Sequence, residues 1–154
     1  MYRIDLTYEG RRIHIEMEKR ISIVSDDSGI GKTFVAKAIR ASLNVRKYSD
    51  IRATFHGKES EVEVIFDGCP MHHAMNIVRD ARGIVIIDEA DKLIGLYPEI
   101  LDEIVYNTES AFLLILRGEP DNYTTSPLQY LEFTATKAEI TIKPYKSRVN
   151  KFFR

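Results

Sequence analysis

Residues Ser25 to Thr33 read SDDSGIGKT, and this stretch ends in the residue types that hold a phosphate. In the pattern G-x-x-x-x-G-K-[ST], backbone N–H groups of a tight loop converge on phosphate oxygens at a helix N-terminus, where the helix dipole favours negative charge. Gly29 and Gly31 allow close backbone approach, Lys32 would reach the β- and γ-phosphates, and the Thr33 hydroxyl would hold Mg²⁺. Asp27, Ser28, Ile30 and Phe34 complete the candidate nucleotide-binding stretch. Asp26 stands where the opening glycine belongs. At about 8 Å and an effective dielectric near 20, its carboxylate and one phosphate charge repel by roughly 2 kcal/mol, so Asp26 is expected to point away from the phosphates, or to lie near Mg²⁺ or a basic side chain.

A second constellation, IVIIDEAD, follows 88 − 32 = 56 residues after the lysine. Four apolar residues end in Asp88 and Glu89, and ligands of open parallel sheets bind beyond the carboxyl ends of their strands. Asp88 is a candidate Mg²⁺ ligand, and Glu89 is placed to activate an attacking water.

These groups need elements to position them. Tyr2, Ile4, Leu6 and Tyr8 alternate with polar residues, as do Ile13, Ile15 and Met17, with Glu9-Gly10 between the two runs, so a hairpin is predicted over residues 2 to 17. Arg20 to Ser25 reads as a buried strand running into the glycine loop. Phe34, Val35, Ala38, Ile39 and Leu43 recur at helical spacing after it. Weaker strand signals lie in IRATF and EVEVIF. Helices are then predicted to begin near Pro70 and Pro98, with GIVIID and AFLLIL as further buried strands. Strands alternating with helices imply a parallel sheet covered on both faces. The last part, LQYLEFTATKAEITIKPY, reads as strands around Ala138-Glu139.

Composition bounds the rest. The 154 residues are 44% hydrophobic and 29% charged, an ordinary balance for one globular domain. With 22 basic and 23 acidic residues the net charge is −1, so no overall field favours nucleic acid or an anionic membrane. Cys69 is the single cysteine, which excludes an internal disulfide and fits a reducing compartment. The longest apolar runs are too short to span a bilayer, and a soluble cytoplasmic protein is expected.

Together, DDSGIGKT and IVIIDE resemble the Walker A and Walker B motifs of P-loop NTPases. The adjacent Glu89 is similar to the division carrying a catalytic glutamate, which includes AAA+ and RecA-like ATPases. The resemblance covers residues 20 to 118 and implies an α/β fold: a three-layer P-loop NTPase core with a mainly parallel sheet. An N-terminal β-hairpin (1–19) and C-terminal strands with a basic tail (119–154) would flank it in one domain. It also implies an extra strand between the two motif strands with a polar residue at its end, a place that AFLLIL and Arg117 match. ATP and Mg²⁺ are the implied ligands, Lys32, Glu89 and Arg117 the implied catalytic residues, and Thr33 and Asp88 the implied metal ligands. The activity implied is slow ATP hydrolysis, helped by a protein partner or a second copy of the chain. AAA+ proteins usually append a helical lid, whereas this chain continues in strand-like sequence, and a non-hydrolysing scaffold for protein interaction is the alternative. Compact P-loop proteins of this type resemble products of phages and mobile elements.

Two other groupings carry less. Cys69, His72 and His73 lie close together at a helix start, but a zinc site needs three or four convergent ligands. The tail holds Lys143, Lys146, Arg148, Lys151 and Arg154 interleaved with Tyr145, Phe152 and Phe153, a composition that could grip phosphates and stack bases, or dock on another subunit.

Overall fold

The computed structural model describes residues 1–25, 32–44, 51–66, 68–117 and 128–144. The alternating N-terminal residues form β1 (Tyr2–Tyr8) and β2 (Arg11–Met17), with Tyr2, Ile4, Leu6, Ile13, Ile15 and Met17 buried on one face. Tyr8 pairs with Arg11, leaving Glu9 and Gly10 as a two-residue turn with φ of 49° and 77°. Positive φ at both positions matches the twist of the flanking strands. On the solvent side Arg3 pairs with Glu16 at 3.1 Å, and His14 bonds the Asp5 carboxylate directly across the ladder.

The apolar run after Arg20 is β3 (Ile21–Ser25), and α1 (Lys32–Asn44) buries Val35, Ala38 and Ile39 completely. Next come β4 (Arg52–Phe55), β5 (Lys58–Glu59) and β6 (Val62–Ile65). Pro70 and Pro98 stand immediately before α2 (Met71–Asp80) and α4 (Glu99–Tyr106). Proline's missing N–H costs nothing at such a position, where no intrahelical partner exists. Between those helices lie β7 (Ile84–Ile87) and α3 (Ala90–Leu96), a helix that the sequence periodicity does not announce. β8 (Ala111–Leu116), β9 (Leu128–Ala135) and β10 (Glu139–Pro144) complete the described elements.

All ten strands join one sheet in the order β5-β4-β1-β2-β10-β9-β3-β8-β7-β6. The stretch β9-β3-β8-β7-β6 is parallel throughout, the hairpin side is antiparallel, and β10 joins them by running parallel to β2 and antiparallel to β9. The C-terminal strands therefore do more than follow the core, since β9 is the parallel neighbour of β3.

Two apolar clusters lie on opposite faces of the sheet. One surrounds α1 and takes side chains from β1, β2, β6, β8, β9 and β10; the other packs α2, α3 and α4 on β3, β6, β7 and β8. The sheet curls around α1 for a covalent reason as well. β5 and β6 are at opposite ends of the strand order, yet only Ser60 and Glu61 separate them in the chain. Three Cα steps of 3.8 Å allow at most about 11 Å between Glu59 and Val62, so the two edges of the sheet must approach each other. No helix among the described residues is long and apolar enough to cross a membrane.

Arg20 locks the second cluster from its edge. Its guanidinium donates to the carbonyls of Ile104 (2.8 Å), Val105 (2.9 Å) and Asn107 (2.6 Å) at the end of α4. Those carbonyls have no partner within the helix. Burial lowers the Arg20 pKa from its usual value, and nearby Tyr2 opposes that shift.

Candidate functional site

Parallel pairing gathers the chemistry-bearing residues at one edge. Ser25 is level with Leu116, and Ile87 is level with both Ile65 and Leu114. The carboxyl ends of β3, β8, β7 and β6 thus lie side by side, and α1 begins at Lys32 after the chain leaves β3 at that edge. Lys32 and Thr33 are the first two helical positions of α1. Asp26, Asp27, Ser28, Gly29, Ile30 and Gly31 lie outside the described residues.

Asp88 follows β7 directly and is only 6% exposed. Its N–H donates to the Ile65 carbonyl at 2.9 Å, which extends the β6–β7 pairing by one residue, and its Oδ1 accepts the Glu89 N–H at 3.1 Å. A carboxylate buried this deeply needs compensating groups around it.

Glu89 adopts the left-handed conformation, with φ 50° and ψ 46°. For a residue with a Cβ this costs roughly 1–2 kcal/mol. The bend turns the chain from β7 into α3, and the N–H groups of Lys92 and Leu93 in its first turn donate to the Glu89 carbonyl at 3.0 and 3.2 Å. The Glu89 side chain is 17% exposed, and its Oε1 lies 3.1 Å from Nε of Arg117, whose side chain is 79% exposed. The Arg117 N–H in turn donates to both carboxylate oxygens of Asp91 at 3.2 and 3.3 Å. The structure therefore brings two of the sequence candidates, Glu89 and Arg117, into direct contact and adds Asp91 as the group that ties the end of β8 to α3. Asp91 carries a weak sequence signal, an acid two residues beyond Glu89.

Phe34, one residue after Thr33, contacts Tyr8 with ring centroids 5.6 Å apart, and the Arg11 guanidinium lies 5.1 Å from its ring centre. The hairpin thus reaches the start of α1. On the other side of the sheet a small cavity of about 280 Å³ is bounded by Glu89, Lys92, Cys69 and Tyr97. Burial raises the Cys69 pKa, which keeps it a thiol, and the exposed His72 and His73 occupy the first turn of α2. Among the described residues no group of three His, Cys, Asp or Glu side chains converges as a metal site. No protein-family model and no curated protein sequence matches the chain.

Proposed function

We propose that the chain is a small ATP-binding protein of the P-loop kind, with a three-layer core, that hydrolyses ATP slowly with Mg²⁺. The observation that carries this reading is the order β9-β3-β8-β7-β6, in which β8 lies between the strand entering the glycine loop and the strand ending in Asp88-Glu89. The insertion of β8 is what the resemblance implies, and the carboxyl ends of β7 and β8 run into Asp88, Glu89 and Arg117 there.

The donor set suits the ligand. The loop ending at Gly31-Lys32 would take the β- and γ-phosphates, and Thr33 with Asp88 would hold Mg²⁺, which when bound offsets the charge on the phosphate oxygens. Glu89 would accept a proton from the attacking water. This carboxylate is paired with Arg117, and an ion pair so exposed on one side contributes about 0–1 kcal/mol. Arg117 could therefore turn toward a γ-phosphate at little cost, which would leave Glu89 available to the water.

A basic residue supplied by a second copy or by a protein partner would complete the charge around the γ-phosphate, and such arginines contribute about 10³–10⁵ in rate. The basic tail of residues 146–154, outside the described residues, would make that contact. Nucleic acid is the alternative occupant of the tail.

The pairing of Glu89 with Arg117 also favours a second reading, a nucleotide-binding scaffold that does not hydrolyse, because the candidate base is engaged in an ion pair. Calorimetric titration of ATP with Mg²⁺ into the protein and into Lys32→Ala tests binding; equal affinity of the two would overturn the site. Phosphate release by the protein and by Glu89→Gln then separates the readings. Slow release that the substitution abolishes supports the hydrolase, and no difference between them supports the scaffold.

A further inference from the structure

We infer that Arg11, stacked on Phe34 beneath the β9–β10 turn, forms a platform that takes the nucleobase of the bound nucleotide without reading its edge. The inference rests on the proposed nucleotide site and assigns the end of the ligand that the loop and Mg²⁺ residues leave unplaced. Its first support is position. β2 runs parallel to β10 and β10 antiparallel to β9, so the start of β2, the end of β1 and the end of β9 all lie at the carboxyl edge of β3. β9 pairs with β3 as far as Leu131 opposite Val24 and then continues 135 − 131 = 4 residues to Ala135. At about 3.3 Å per residue its turn stands roughly 13 Å beyond that last shared pair, overhanging the edge from which α1 starts.

The second support is the built surface. Arg11 shares the inward face of β2 with Ile13, and its guanidinium lies 5.1 Å from the Phe34 ring centre while Tyr8 borders the same ring. Nη2 of Arg11 donates to the Thr136 carbonyl at 2.7 Å, which ties the guanidinium to the β9–β10 turn. Its Nε is buried without a hydrogen-bond partner, an arrangement that costs folding free energy and that hydrogen bonding alone does not explain. Beside it opens a shallow cavity of about 590 Å³ lined by Arg11, Ala135, Thr136 and Lys137. A guanidinium plane held over an aromatic ring offers a flat cationic face on which a planar base can stack. Lys137, exposed on the turn, supplies a further positive charge.

The third support concerns selectivity. Both the N–H and the hydroxyl of Thr136 donate to the Glu139 carbonyl, the hydroxyl oxygen also lies 3.0 Å from the Glu139 N–H, and the Thr136 carbonyl is taken by Arg11. The Ala138 carbonyl accepts from the Arg12 N–H. These turn groups are spent on the fold, so stacking rather than edge recognition holds the base, and every base has a π-face.

Calorimetry with ATP, GTP and inorganic tripolyphosphate, each with Mg²⁺, tests this on the full chain and on Arg11→Ala, Arg11→Gln and Lys32→Ala. The expected result is that ATP and GTP bind alike and tighter than tripolyphosphate, and that both Arg11 variants weaken ATP about tenfold, the worth of one stacked base, with tripolyphosphate unchanged. Arg11→Gln retains a donor toward Thr136 and serves if Arg11→Ala melts early. Arg11 variants that weaken tripolyphosphate as much as ATP would overturn the platform in favour of a phosphate contact. Unaltered ATP affinity in both variants, or tenfold discrimination between ATP and GTP, overturns it too. Lys32→Ala should weaken all three ligands. If the unaltered protein binds none of them, the nucleotide reading itself fails, and the platform with it.

Discussion

Among the described residues three non-glycine positions, Glu9, His56 and Glu89, hold positive φ, two in turns and one at the entry to α3. Glu9 and His56 each precede a glycine in a two-residue turn, where Asn would fit better because it tolerates the left-handed region. Glu9→Asn should therefore stabilise the protein by about 1 kcal/mol and raise its melting temperature by about 2–4 °C. Glu89 has no following glycine and holds its strain beside Arg117. Glu63 makes a prediction of its own in pH. Desolvation raises its pKa, repulsion from Glu61 adds to this, and His73 opposes it. A carboxyl group with a raised folded pKa binds more protons in the native state, so it lowers stability as pH rises through the carboxylate range. Glu63→Gln should raise the melting temperature at pH 7 and leave it unchanged below about pH 3, where both states are protonated. Melting curves across that range would show the convergence, and a constant offset would exclude the titration.

Elements in this fold are joined where backbones touch and where helix ends find donors. Gly83 precedes β7, and a Cβ built there would meet the Glu61 carbonyl oxygen at 2.3 Å, while the neighbouring Ile84 N–H donates to that same oxygen at 2.9 Å. The Gly83 carbonyl also accepts the Ala111 N–H at the start of β8. Gly83→Ala must therefore part β6 from β7, and a loss of about 2 kcal/mol is expected in denaturant unfolding. At the other end of the same layer Arg20 satisfies three carbonyls of α4 and its cap, while Asn107 donates to Val78 and Ala81 at the end of α2. Arg20→Ala should cost about 2–3 kcal/mol, because buried carbonyls lose their partners. Arg20→Lys should recover less than half of that, since a single ammonium does not reproduce the planar fork. Full recovery by lysine would mean that charge, not geometry, holds α4.

At the scale of the molecule the curled sheet makes the N-terminal hairpin part of the core. Tyr2, Ile4, Leu6, Ile13, Ile15 and Met17 share one apolar cluster with Val35, Ala38 and Ile39 of α1. Six such side chains at about 2 kcal/mol each contribute roughly 12 kcal/mol, which is as large as the net stability of an ordinary domain. Deleting residues 1–19 should therefore abolish the cooperative melting transition instead of leaving a folded nucleotide-binding core. A deletion variant that still melts cooperatively near the temperature of the full chain would show the hairpin to be dispensable. The same curl sets Arg11 against Phe34, so the proposed base platform and the stability of α1 depend on one packing arrangement.

The sequence by itself determined what is local. Period-two alternation marked β1 and β2, the helical spacing after Lys32 marked α1, prolines marked the starts of α2 and α4, and a run of four apolar residues placed Asp88 and Glu89 at a strand end. Such features depend on residue type and neighbours a few positions away. α3 escaped because its seven residues are too few for a period to emerge and it begins at a left-handed Glu89 that no propensity announces. Tertiary structure alone decided that β9 lies beside β3, that β10 bridges the hairpin to the parallel half, that Glu89 spends its charge on Arg117, and that Arg11 covers Phe34. Each of these joins residues far apart in the chain. Strand register and burial select such pairings only when the whole sheet closes around α1, and a side chain's alternation says which face it occupies but not which partner it meets there.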